Sequence, residues 1–192
     1  MPPATIYLVS GLPRSGTSMM MRMLEAGGLQ PFTDRLRQSD PDNPKGYYEF
    51  EPVKKLKEDK SWVPRAEGKV LKVISELLAD LPPTYRYRTV FMRRQLDEIL
   101  ASQRQMLLRR GKAAPSAEED RRIAELFTAH LKKTETWLAQ EPNFEVLYLS
   151  YNQVLQDPDG AVRSLSDFLG AAVDPGPMAE VVDPRLHRQK SP

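Results

Sequence analysis

A glycine-bounded loop near the start of the chain could bind an anion. In "YLVSGLPRSGTSMMMRML", residues 7–24, Gly11 and Gly16 are spaced as in the phosphate-binding pattern G-x-x-x-x-G-K-[ST], but Thr17 replaces the lysine and Arg14 lies inside the loop. Glycines let the backbone approach an anion closely, and amides at a helix start favour negative charge. The groups predicted to bind are Arg14 and the amides or hydroxyls of Ser15, Gly16, Thr17 and Ser18. The alternative is an ordinary strand–helix turn with a Thr or Ser N-cap.

The loop lacks two features of a nucleoside triphosphatase. Such an enzyme uses the loop lysine and a magnesium ligand, usually an Asp at the end of a second apolar strand. Here the other apolar strands lead into Ser75, Arg93 and Tyr151. The sequence therefore predicts a site for an anion that is bound without a metal, and we expect no metal ligands.

A second arrangement for anion binding follows the strand "TVFM", which runs into "RRQLDEILASQRQML". The guanidinium of Arg94 offers a fork of donors that suits a phosphate. If Asp97 caps the helix, Ser102 lies about 7.5 Å further along the axis, and Arg94 and Ser102 could meet on one anion. The segment is equally compatible with solvated charges at Arg93 and Arg94 and a neutral surface serine.

The alternation of apolar runs and helical patterns predicts an α/β fold. Near-continuous apolar runs indicate buried parallel strands at 4–10, 69–74, 88–93 and 145–150. Helical patterns cover 17–26, about 97–110, 116–140 and 159–169, and glycines follow three of them. We expect a three-layer α/β/α architecture around a parallel sheet of about four to five strands, similar to P-loop nucleoside triphosphatases. The proline-rich segment 30–46 is predicted to be a functional loop on the ligand side of the sheet.

The composition is that of an ordinary globular protein. With 192 residues, the chain suits a single domain covering 1–192. No apolar run approaches the ~20 residues of a membrane span, and the N-terminal residues leave no room for a signal peptide before the first strand. The absence of cysteine fits a cytoplasmic protein. A net charge of +2 gives no reason to expect nucleic acid binding, and the oligomeric state is not predicted.

The two anion sites together resemble those of sulfotransferases that use 3′-phosphoadenosine 5′-phosphosulfate (PAPS), the bacterial carbohydrate-type members in particular. The resemblance rests on "LPRSGTS" and on Arg94 and Ser102, eight positions apart. Further similar segments are "NPKGYYEFEPV" (43–53), "LYLSYNQVLQDPDGAVRSLSDFLG" (147–170) and "VVDPRLHRQ" (181–189). The resemblance implies that the first loop, with Pro13 and Arg14, holds the 5′-phosphosulfate. It implies that Arg94 and Ser102 hold the 3′-phosphate. Arg188 in the C-terminal segment is predicted to bind the cofactor, and His187 beside it to help bind phosphate.

The resemblance also implies catalytic roles. Arg14 would neutralise the charge that develops on the leaving oxygen. Glu49 is the favoured general base, because family members place a catalytic Glu in the comparable stretch. Glu51, Asp34 and His130 are the alternative bases, although a histidine on an apolar helix stripe is more often a packing residue. Lys72, on the second strand, either contacts the sulfuryl group or is a snorkelling surface residue.

The sequence thus predicts a sulfotransferase that moves a sulfuryl group from PAPS to a hydroxyl or amine of a small-molecule or carbohydrate acceptor by metal-free in-line displacement. A small-molecule kinase on a variant P-loop and a non-catalytic nucleotide-binding module remain open as alternatives. The basic run 104–112 is interpreted as a solvated helix end, with an acidic acceptor as the second interpretation. The acceptor itself is not predicted.

Overall fold

The computed structural model describes residues 4–37, 39, 40, 43 and 46–186, and its centre is a four-stranded sheet. The strands are β1 (Thr5–Gly11), β2 (Val70–Lys72), β3 (Arg86–Arg93) and β4 (Phe144–Ser150). All neighbouring strands are parallel, in the order β2-β1-β3-β4. Parallel strands covered on both faces need apolar side chains in both directions, which explains the near-continuous apolar runs. The predicted fold class is confirmed.

Five helices of the described residues connect and follow the strands. They are α1 (Thr17–Ala26), α2 (Leu96–Arg109), α3 (Ala117–Leu138), α4 (Tyr151–Gln156) and α5 (Pro158–Leu169). Ser116 and Glu119 form a capping box at the start of α3, and Asp157 caps α5 by accepting from the Gly160 amide. These caps fix the helix starts close to the predicted residues. The short helix α4 was not predicted, because six residues are too few to show a periodic pattern.

The two faces of the sheet are covered differently. On one face, α1 and α5 pack through side chains such as Met20, Met23 and Leu165. On the other face, the cover is a series of 3₁₀ turns with Leu56 and Trp62, joined by the end of α3. The turns at Glu51–Lys55 and Val63–Ala66 each have a proline at their first positions, where proline starts but does not continue a helix. The three layers of the prediction are present, with turns replacing helices in much of one layer.

The carboxyl ends of the four strands define the edge that carries the site. β1 ends at Gly11, β2 at Lys72, β3 at Arg93 and β4 at Ser150. In open parallel sheets ligands bind outside this edge. The residues that follow the strands, the glycine loop among them, are therefore brought together there. Within the part of the chain that the structure describes, no helix has both the length and the apolar character needed to cross a membrane.

Candidate active site

The glycine loop has a backbone that only glycine can provide at two points. Gly11 and Gly16 have φ angles of 142° and 97°, which L side chains rarely adopt. A Cβ at Gly11 would lie 2.5 Å from the Met92 carbonyl oxygen, and one at Gly16 would lie 2.3 Å from the Tyr151 ring. The loop is therefore packed directly against β3 and the start of α4.

Ser15 belongs to the frame of the loop. Its hydroxyl donates to the Leu12 carbonyl over 2.7 Å, and its amide donates to the same oxygen over 3.2 Å. Ser15 is buried and does not line the cavity, unlike Pro13, Arg14 and Thr17. The sequence predicted that the Ser15 amide and hydroxyl face an anion. In the structure both groups close the turn by donating to the Leu12 carbonyl instead.

The start of α1 faces a cavity of about 310 Å³ at the carboxyl edge of the sheet. Gly16 is the N-cap, and no side chain of the described residues caps the helix. The first amides of a helix need a partner outside the helix, and the positive end of the dipole favours an anion. Gly16, Thr17 and Ser18 all line this cavity. The arrangement fits a phosphate or sulfate group better than it fits an ordinary capped turn.

Arg14 connects the two predicted anion sites. It lies in the left-handed region with φ of 72°, and its Nε donates to Ser102 Oγ over 2.9 Å. A serine hydroxyl that accepts one bond still has its own proton to donate. The sequence predicted Ser102 as a partner of Arg94 on one anion, whereas the structure bonds it to Arg14. The two sites are therefore contiguous.

Arg94 is fixed in the floor of the site. Its side chain is only 7% exposed and forms an ion pair with Glu98, with Nε 2.8 Å from Oε2. A second bond joins its Nη1 to the Arg14 carbonyl over 3.0 Å, and its guanidinium lies 4.4 Å from the centre of the Tyr151 ring. Glu98 also accepts from Asn152 Nδ2 over 2.8 Å. Arg94 lines the cavity, so it combines a structural role with a position at the site.

Several details around Arg94 differ from the sequence prediction. Of the two neighbouring arginines, Arg93 is the exposed one, and it forms an ion pair with Glu135. The helix α2 begins at Leu96 with Gln95 as its N-cap, so Asp97 lies in the first turn and is not the cap. Glu98 was missed as the partner of Arg94, although the i,i+4 spacing could have indicated the pair. Tyr151 was missed because it follows β4 and meets the loop only in the folded chain.

Lys72 is buried beside the glycine loop. Its side chain is 11% exposed, and its Nζ lies 3.4 Å from Ser18 Oγ and 3.8 Å from Glu49 Oε1. Burial lowers the pKa of the ammonium group to about 8, the charges of Arg37 and Arg14 act in the same direction, and Glu49 opposes them. The geometry excludes a snorkelling surface lysine. Lys72 faces the site and carries a charge that costs energy to keep there.

Glu49 lines the same cavity and forms an ion pair that the sequence did not reveal. Its Oε1 accepts from Arg37 Nη1 over 2.7 Å. The Arg37 guanidinium stacks 3.5 Å from the centre of the Tyr47 ring, and the Tyr47 hydroxyl donates to Asp40 over 2.8 Å. Arg37 was missed because nothing in the proline-rich loop distinguished it from its neighbour Arg35.

Asn43 is a second residue of this loop that reaches the glycine loop. Its Nδ2 donates to Ser18 Oγ over 3.1 Å and to the Gly46 carbonyl. The predicted ligand-side loop therefore contributes Arg37 and Asn43 to the cavity lining.

A family model described as a sulfotransferase domain matches residues 117–188. Over these residues the chain is similar to a sulfotransferase domain. The match covers the block 147–170 and most of the segment 181–189, two of the parts on which the predicted resemblance rests, and it lies outside the glycine loop. The prediction of a sulfotransferase enzyme is confirmed. No curated protein sequence matches the chain significantly.

The chain is similar to three solved sulfotransferase structures. A sulfotransferase from Alicyclobacillus acidocaldarius shares 18% identity, covers 86% of this chain and 81% of its own, and superposes with a TM-score of 0.53. The sulfotransferase domain from the curacin biosynthetic pathway shares 15% identity and covers 98% and 92%, with a TM-score of 0.49. A mouse sulfotransferase in complex with PAP shares 16% identity and covers 96% and 63%, with a TM-score of 0.48. At 18% identity, the first of these comparisons shows a shared fold.

The remaining base candidates of this sulfotransferase lie outside the cavity. Glu51 pairs with Lys54 on the surface at 2.7 Å, and Asp34 accepts from the Glu51 and Leu36 amides. His130 Nε2 lies 2.8 Å from Ser75 Oγ, and this contact joins α3 to the turn after β2. All three have structural partners. Arg188, predicted to bind the cofactor, and its neighbour His187, predicted to help bind phosphate, lie outside the described residues.

Proposed function

We propose that this sulfotransferase moves a sulfuryl group from PAPS to a hydroxyl or amine of a small-molecule or carbohydrate acceptor. The observation that carries the proposal is the convergence on one cavity of three cations, a carboxylate and a helix start that no side chain of the described residues caps. Arg14, Lys72 and Arg94 supply the positive charge, and Glu49 supplies the carboxylate. The proposal includes two predictions from the sequence, that residues 1–192 form one sulfotransferase-like domain and that it works in the cytoplasm.

We assign the two charged ends of PAPS to two parts of the cavity lining. The amides at the start of α1, with Arg14, Ser18 and Lys72, are the groups we assign to the 5′-phosphosulfate. Arg94 and Ser102 are assigned to the 3′-phosphate, as the resemblance implies. Glu98 and Tyr151 hold the Arg94 guanidinium in a single position, so little side-chain entropy is lost on binding. Arg188 is proposed to add a further contact to phosphate.

Three side chains would carry the chemistry. PAPS supplies a sulfuryl group on a phosphate leaving group. Glu49 takes the proton of the acceptor hydroxyl while the acceptor oxygen bonds to sulfur. The bond between sulfur and the bridging oxygen breaks, and its electron pair stays on the phosphate. Arg14 and Lys72 offset the charge that develops on that oxygen. A sulfuryl group bears less charge than a phosphoryl group, so these cations can serve without the loop lysine.

Calorimetry with PAPS, PAP and ATP·Mg²⁺ tests the donor assignment. We expect PAPS and PAP to bind at least about tenfold more tightly than ATP·Mg²⁺, because two separated phosphate-type groups each meet an arginine. Tighter binding of ATP·Mg²⁺ would favour the kinase alternative. Binding of PAPS without sulfation of any acceptor in a broad panel would favour the non-catalytic module.

A further inference from the structure

The proposed base is engaged by an arginine. Glu49 Oε1 accepts a 2.7 Å bond from Arg37 Nη1, and Lys72 Nζ lies 3.8 Å from the same oxygen. A proton placed on that carboxylate would remove the negative charge that strengthens the hydrogen bond from Arg37, and charge-assisted hydrogen bonds are among the stronger contacts of a protein. The arrangement therefore engages, in an ion pair with Arg37, the carboxylate that the proposed base uses to take the acceptor proton.

Arg37 is placed to change partners. Its side chain is 34% exposed at the outer side of the cavity, while its guanidinium stacks on Tyr47 and lies 4.0 Å from Asp40. Tyr47 and Asp40 are themselves joined by a hydrogen bond. These two residues can keep the guanidinium in position when its bond to Glu49 is lost. Burial opposes the charge of Arg37, but the bond to Glu49 and its charge outweigh burial and raise the pKa of the guanidinium, so Arg37 stays a cation throughout.

We infer that Arg37 selects acceptors that carry a carboxylate close to the hydroxyl that is sulfated, such as hydroxy acids or uronic acid sugars. The inference rests on the proposed function. The acceptor carboxylate replaces Glu49 as the partner of Arg37, because a guanidinium matches a carboxylate with two parallel bonds. Glu49 is then released to take the hydroxyl proton, as the acceptor oxygen bonds to sulfur and the phosphate leaves with the electron pair. A neutral acceptor lacks the means to release Glu49.

The test compares acceptors in pairs. A panel of hydroxy acids and uronic acid glycosides is assayed beside the methyl ester of each, with PAPS as donor, and sulfated product and PAP are measured. Wild type is expected to favour the acids by at least about tenfold in kcat/KM. Arg37→Met should lower kcat/KM for the acids by roughly 10- to 100-fold, the range of one lost hydrogen bond between charged groups. The esters should be unchanged or faster with this variant, because Glu49 is no longer engaged.

Arg35→Met is the matched control. Arg35 is an exposed arginine of the same loop and does not line the cavity, so this variant should keep the preference for acids. Equal rates for acids and esters in wild type would overturn the inference. Equal losses for both classes in Arg37→Met would also overturn it, because a merely structural role predicts that pattern.

Binding without turnover provides a second measurement. In the presence of PAP, Glu49→Gln should bind a carboxylate acceptor about tenfold more tightly than wild type, because the neutral amide no longer competes for Arg37. Unchanged or weaker binding contradicts the exchange of partners. PAPS calorimetry on wild type separates the two proposals. Normal PAPS binding by wild type with no preference for acids sinks only this inference, whereas failure of wild type to bind PAPS sinks the proposed function.

Discussion

The glycine loop and the ion pair of Arg37 with Glu49 both line one cavity, and different contacts hold them. On the glycine-loop side, neighbouring atoms leave no room for a Cβ at Gly11 or Gly16. The side chains of the Arg94–Glu98 ion pair on this side are only 7% and 2% exposed. On the other side, Arg37 and Glu49 are 34% and 23% exposed. Breaking a buried pair costs several kcal/mol, whereas a pair nearer to solvent is easier to break because water can take over its contacts. The glycine-loop side, assigned to PAPS and called the donor side below, is thus fixed before a ligand arrives. The side of Arg37 and Glu49, assigned to the acceptor and called the acceptor side, can exchange partners.

Gly16→Ala should have the largest effect on the donor side. A Cβ would meet the Tyr151 ring at 2.3 Å, so the loop must move, and we expect PAPS affinity to fall by more than about 100-fold. Gly28→Ala is the control, since Gly28 has the same φ of 97° but no atom within 4 Å of the added Cβ. It should cost about 1–2 kcal/mol of stability and leave PAPS affinity unchanged. Equal affinities of the two variants for PAPS in calorimetry would contradict the close-packing argument.

Glu49→Gln tests the chemistry of the acceptor side. The amide keeps the shape of the side chain but cannot accept the proton, so kcat should fall by roughly 10²- to 10⁴-fold, with PAPS affinity retained. Glu51→Gln, at a surface residue paired with Lys54, is expected to match wild type. Steady-state kinetics with a saturating acceptor measure both variants, and full activity of Glu49→Gln would remove the base assignment.

Arg94→Met should destabilise the fold more than any arginine change on the acceptor side. The substitution removes the cationic partner of the buried Glu98 carboxylate. Breaking a buried ion pair in this way typically costs about 3–5 kcal/mol of stability. Arg93→Met, at the neighbouring half-exposed arginine, should cost less than about 1 kcal/mol. Urea unfolding measures both free energies. If the two losses are similar, the donor side is not the rigid region described above.

Lys72→Met should change stability in the opposite direction. The pKa of Lys72 is lowered from 10.5 to about 8 by burial, so the folded protein binds this proton less tightly than the unfolded chain does. The charge therefore destabilises the fold below pH 8, by up to about 3 kcal/mol, and the penalty disappears as pH rises toward 10.5. We expect the methionine variant to be more stable than wild type at pH 7 and to differ less at pH 10.

The same lysine predicts how donor binding depends on pH. Lys72 loses its charge as pH rises through about 8, so PAPS affinity should decrease above that pH in wild type. Lys72→Met should bind PAPS more weakly at pH 7 and lack this decrease. Calorimetry at pH 7 and pH 9 compares them, and a wild-type affinity that does not change over this range would argue against a contact between Lys72 and the anion.

The elements of the fold could be predicted from local signals. The run "ATIYLVS" and the glycines after α1 and α5 mark a buried strand and two helix ends within the chain itself. The layer of 3₁₀ turns could not be predicted, because the segment around Trp62 has no regular period and proline interrupts it. Its position depends on the apolar surface of β1 and β2, which exists only after the sheet has formed.

By itself, the sequence determined the glycine loop, because the need for positive φ at Gly11 and Gly16 and the start of a helix after them are local properties of the chain. It also determined that Arg94, Ser102 and Lys72 follow or end strands of a parallel sheet, whose carboxyl ends share one edge. The pair of Arg94 with Glu98 is an i,i+4 pair of the chain itself. Tertiary structure alone decided the other partners: Ser102 with Arg14, Arg94 with Tyr151, and Glu49 with Arg37. These partners lie at least 12 positions apart in the sequence, and they meet only where packing around the sheet brings them within reach.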